Sequence, residues 1–136
     1  MEFSWYVFLT IPVAWFMQNL MHELSHLLVG WIVEGRKPLG VYPYPHRYRS
    51  RFYFSRYISG EASEFASPKP RHIAPFFAGL FWFFLMSLVV YLVPTEWKIF
   101  FIIFPLVGLI DAGFFWYTYF CGSPESDGQR FKYNIG

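Results

Sequence analysis

Apolar residues gather in three runs along the chain, at positions 3–33, 73–93 and 97–120. Each is long enough to cross a membrane, since about 20 apolar residues cover a hydrocarbon core of about 30 Å. The first is too long for one perpendicular crossing, so it should tilt, bend near Pro12 or emerge at one end. Its middle breaks the pattern, because Gln18, Asn19, His22, Glu23, Ser25 and His26 fall within nine residues. On a helical wheel these share an arc of about 160°, while Leu20, Met21, Leu24, Leu27 and Leu28 take the other side. An ionisable group in mid-span costs roughly 2.5–3.5 kcal/mol, so the polar arc should face protein, water or a metal rather than lipid.

The second run is nearly free of polar groups apart from Ser87, and Ala74, Ala78 and Gly79 offer a small-residue surface to a neighbouring helix. Pro75 is tolerable in a first turn, which places the start of this helix near His72. Pro94 and Thr95 turn the chain, and Trp97 anchors the third run at an interface. The third run carries one charge, Asp111, on the same side of the wheel as Pro105, Gly108 and Ala112. Counted from the ends at Val33 and Phe120, Leu24 and Asp111 both lie about 14 Å deep, which suggests one shared site.

Eight of the eleven Lys and Arg residues stand in the linker at 34–71, and two more, Arg130 and Lys132, in the tail. With three spans, linker and tail fall on one side, which the positive-inside rule makes cytoplasmic, with the N-terminus outside. Within the linker, residues 39–44 and 51–58 are rich in aromatic and β-branched side chains and predict a β-hairpin at the membrane surface, its first strand weakened by Pro43 and Pro45. The predicted architecture is therefore an all-α integral membrane protein of three transmembrane helices, with a membrane-surface hairpin between the first and second. It forms one domain over residues 1–120, followed by a polar and mobile C-terminal tail at 121–136.

Composition agrees with this reading: of 136 residues, 55% are hydrophobic and only 15% charged, which leaves no room for a separate soluble module. A cleaved signal peptide is a poor reading of the first run, since no Lys or Arg precedes it and the histidine pair lies within it. The single Cys121 excludes an internal disulfide. The basic linker is accounted for by anionic lipid, so no nucleic-acid partner is expected.

The chemistry lies in His22-Glu23-Leu24-Ser25-His26. Two histidines four apart on a helix stand about 40° apart around the axis and roughly 6 Å along it, so both rings can reach one cation. This is the H-E-x-x-H zinc spacing. Glu23 lies about 60° from His26, near enough to act on a metal-bound water without ligating, and is the candidate general base. His72, Glu61 and Glu64 are reserve ligand candidates, and His46 is a weaker one.

On His22, Glu23, His26 and the segment at 105–113, the chain resembles the site-2 protease family of intramembrane zinc metalloproteases. That family shares a core of three spans, with H-E-x-x-H on the first and an aspartate on the third. The resemblance implies zinc held by His22, His26 and Asp111, with Glu23 catalytic, and a membrane-associated hairpin like the one at 39–58. The family pattern N-x-x-P-x-x-x-L-D-G differs here, since Pro105 precedes Asp111 by six positions rather than five and Ala112 separates Asp111 from Gly113. Asn19 is the candidate to replace the pattern's asparagine.

The expected function is hydrolysis of a peptide bond in a membrane-spanning substrate by a zinc metalloendopeptidase, with Glu23 activating a zinc-bound water. The competing reading is a metal-binding membrane protein without proteolysis, a degenerate protease acting as a partner-binding subunit. A structural membrane subunit would hold no metal.

Overall fold

The structure is a computed structural model, and it describes residues 7–61 and 69–134. It is mostly helical. Helix α1 spans Val7–Glu34, α2 spans Lys69–Leu92, a single turn α3 spans Lys98–Phe101, α4 spans Ile103–Cys121 and α5 spans Asp127–Tyr133. Between α1 and α2 lie four short strands: β1 Pro38–Tyr42, β2 His46–Tyr48, β3 Arg51–Tyr53 and β4 Arg56–Ser59. Two helical stretches, Lys69–Leu92 and Thr95–Cys121, are long and apolar enough to cross a membrane. Helix α1 is of similar length, but Gln18, Asn19, His22, Glu23 and His26 lower its hydropathy.

The hairpin forms where the alternating aromatic residues place it, but in two steps. The outer ladder pairs β1 with β4 in antiparallel fashion, with Val41 opposite Tyr57, and the inner ladder pairs β2 with β3, with Arg47 opposite Phe52. Pro43 and Pro45 bring no N–H to a ladder, and the pairing lapses between them. The tip is a two-residue turn in which Arg49 and Ser50 both take positive φ (52° and 63°), as a tight hairpin of right-handed twist requires.

Helix α2 is the spine, packing along both α1 and α4, which meet each other far less. At the α2–α4 crossing, Gly79 and Gly108 bring the backbones together: a Cβ on Gly79 would lie 2.7 Å from the Gly108 carbonyl oxygen. The small-residue surface expected on the second run is thus used against α4. Toward one end the core is apolar, built on Ala14, Trp82 and Val107, with the Trp82 indole donating to the Phe104 carbonyl at 3.0 Å.

The other end is polar and tightly tied. Glu34, the last residue of α1, is buried and pairs with Arg71 Nε at 2.7 Å and Arg36 Nε at 3.3 Å. Arg71 also donates to the Tyr57 hydroxyl at 2.7 Å, which joins α1, α2 and β4. Because α1 and α4 stay apart, a cavity of about 1020 Å³ lies between them, closed over by the hairpin and by α5.

The C-terminal segment differs from the mobile tail expected from its polarity. After Cys121 the chain turns back and α5 packs on α2 and α4. Gln129 donates to the carbonyls of Thr118 and Tyr119 at 2.9 and 2.8 Å, satisfying acceptors that the end of α4 leaves open. Phe131 packs on Phe115, with ring centroids 5.8 Å apart. A Cβ on Gly128 would lie 2.5 Å from the Phe115 carbonyl and from Thr118 Oγ1, so only glycine lets α5 seat this close to α4.

Candidate metal centre

His22 and His26 stand one turn apart on α1, their rings edge to face with centroids 5.0 Å apart. Each ring is gripped at Nδ1 by a different helix. The Asp111 carboxylate, from α4, lies 3.0 and 3.2 Å from His22 Nδ1, and the Arg71 carbonyl, from α2, lies 2.7 Å from His26 Nδ1. With a metal bound, an acceptor at Nδ1 would hold the proton there and free Nε2 to ligate. The Tyr57 ring stacks on His26 at 4.8 Å and sets its plane.

Both Nε2 atoms then face one oxygen: Asp127 Oδ2 lies 3.1 Å from each. These three donor atoms all fall within 4.8 Å of one another. Two nitrogen lone pairs and an anionic oxygen at such distances repel unless a cation is shared among them. Protons on the rings can serve, and so can a metal. Four-coordinate zinc with bonds of about 2.0–2.1 Å sets its ligand atoms about 3.3 Å apart, close to the 3.1 Å between Asp127 Oδ2 and each Nε2.

Electrostatics at Asp127 favour its ionised form. Burial opposes its ionisation, but the charge of His26, then the rings of His22 and His72, outweigh burial and hold the carboxyl well below the usual carboxylate range. Tyr57 moves the other way, since burial pushes its phenol up.

Glu23 is buried on the same face of α1 and lines the same cavity as the three donors. Its Oε1 accepts a hydrogen bond from Ser55 Oγ at 2.6 Å, so the break in the hairpin rests directly on it. Asn19 holds that break in place, donating to the carbonyls of Pro43 and Phe54 at 3.3 and 3.4 Å. Gln18 donates to Asp111 Oδ2 at 3.1 Å.

The geometry thus brings His22, Glu23, His26 and Asp111 together, as their shared arc and depth suggest, but gives Asp111 a different neighbour from the one expected. Its carboxylate meets the Nδ1 of His22, while Asp127, assigned by sequence to the tail, meets both Nε2 atoms. Glu61 is exposed and outside the cavity, and Glu64 lies outside the described residues. His46 is held in the hairpin, its Nδ1 2.8 Å from the Tyr44 carbonyl. A signal for Asp127 was present in the chain: the glycine behind it and Phe131 one turn on give α5 one face that can dock. Compared with family models, curated proteins and solved structures, the chain matches none.

Proposed function

We propose that this protein is an intramembrane zinc metalloprotease of the site-2 type. The observation that carries the reading is the convergence of His22 Nε2, His26 Nε2 and Asp127 Oδ2 beside Glu23 in one cavity between α1 and α4. In this reading His22, His26 and Asp127 hold the ion, and Asp111 orients His22 from its other nitrogen.

Two imidazoles and a carboxylate would hold zinc with room for a water, whose pKa the ion would lower to about 7. Glu23 takes the proton of the attacking water and returns it to the leaving amine. Its bond from Ser55 fixes the carboxylate that must do so. A substrate helix has its own carbonyls occupied, so it must unwind before attack. Residues 51–59 line the cavity as an extended segment, and strand addition along them would hold the unwound stretch.

The membrane arrangement belongs to the same proposal. Helix α1 joins α2 and the stretch Thr95–Cys121 as a third span, its exposed side carrying Phe8, Leu9, Trp31 and Ile32. The start of α2 and the tail meet at one end, through His72 and Asp127, and the positive-inside rule favours the cytoplasm for the side that carries the Lys and Arg residues of linker and tail. The substrate then reaches the cavity sideways, between α1 and α4, from the bilayer.

Glu23→Gln tests the catalytic assignment. Metal should stay bound while cleavage of a tethered membrane substrate in reconstituted vesicles falls by at least about a hundredfold, as for loss of a general base. Undiminished cleavage removes Glu23 from the role. Stoichiometric zinc with no cleavage by the parent protein of any membrane substrate would favour the partner-binding subunit instead.

A further inference from the structure

His72 is among the most deeply buried side chains of the molecule, with 1% of its surface exposed, yet neither ring nitrogen has a hydrogen-bond partner among the described residues. Buried imidazoles are ordinarily satisfied, because an unpaired polar group away from water is costly. The ring sits in the first turn of α2 and looks into the centre. Its Nδ1 lies 3.8 Å from Asp127 Oδ1, the oxygen that does not face the histidine pair, and its ring stands edge to face with His26 at 6.3 Å between centroids.

We infer that His72 is the positioning residue for Asp127: its Nδ1–H takes Oδ1 and leaves Oδ2 alone to the ion. This rests on the metal centre proposed above. It gives each ligand a holder on the side away from the metal. Asp111 holds His22, the Arg71 carbonyl holds His26, and His72, next in sequence to Arg71, holds Asp127. Adjacent residues of one helical turn thereby fix two ligands that come from opposite ends of the chain. The alternative use of such a ring is as a fourth ligand, which would close the coordination sphere and shut out water. The geometry speaks against it, since the ring stands on the outer oxygen of Asp127 and not with the three atoms that converge. Holding by one N–H also fixes the carboxylate to one oxygen and keeps the fourth position open.

The test is X-ray absorption at the zinc edge together with zinc affinity by chelator competition, on the detergent-solubilised full chain. Three proteins are compared: the parent, His72→Gln and His72→Phe. The expected result is two imidazoles on zinc in all three. Affinity should drop roughly 10–100-fold in His72→Phe, the range for loss of an outer partner of a ligand. It should be largely kept in His72→Gln, whose amide still donates. Three imidazoles in the parent would overturn the proposal and make His72 a ligand, and parent-like affinity in His72→Phe would overturn it as well. If His72→Phe fails to fold, His72→Gln still decides, because a third imidazole lost on that change likewise makes His72 a ligand. A parent that binds no zinc would instead defeat the metal centre itself.

Discussion

Asp127 carries a carboxyl that stays ionised through the range where ordinary carboxylates titrate, because His26 and its neighbours outweigh the cost of burial. A carboxyl whose folded value is depressed adds stability above its unfolded value of about 3.9, and that contribution is lost only as pH falls through the folded value. Metal binding requires neutral imidazoles, so acid should displace zinc by protonating the histidines. Zinc retention measured against pH should therefore fall on acidification, and retention that does not change with pH would show that the imidazoles are not ligands. The histidine pair and Glu23 were legible at this scale, since ionisable residues on one face of an apolar helix have few uses. Asp127 was not, because nothing in the polarity of residues 122–136 distinguishes a docked helix from a loose end.

Among the elements, α5 decides whether there is a centre at all, and Gly128 decides whether α5 can dock. Gly128→Ala drives a methyl into the Phe115 carbonyl and Thr118 of α4, so α5 must lift and Asp127 must leave the pair of Nε2 atoms. Gly113 on α4 is the control, since a Cβ there meets nothing within 4 Å. Gly113→Ala should be neutral or gain up to about 1 kcal/mol from helix propensity. Gly128→Ala should lose zinc and lower the thermal midpoint, and equal zinc content in the two variants would show that α5 does not position a ligand. The hairpin was legible from its aromatic alternation, and its interruption from Pro43 and Pro45. What sequence could not convey is that the interruption rests on Glu23 through Ser55 and is pinned by Asn19, since those contacts join residues more than twenty positions apart.

Over the whole molecule, the three long helices were readable from hydropathy and the α2–α4 contact from small residues. Their unequal packing was not. Helix α2 holds α1 and α4 apart, and the cavity so formed gathers charged residues from α1, α4 and α5 under the cover of the hairpin. The network of Glu34, Arg36, Arg71 and Tyr57 ties the polar end together and carries the Arg71 carbonyl to His26. Chain ends that hydropathy treats separately thus form one site, and metal content is its most direct measure. We expect one zinc per chain in the purified parent, none in Asp127→Ala, and zinc of roughly 10–100-fold weaker affinity in Asp111→Ala, where only the holder of His22 is lost. Stoichiometric, tightly held zinc in Asp127→Ala, or its loss from Asp111→Ala alone, would contradict the ligand set of His22, His26 and Asp127.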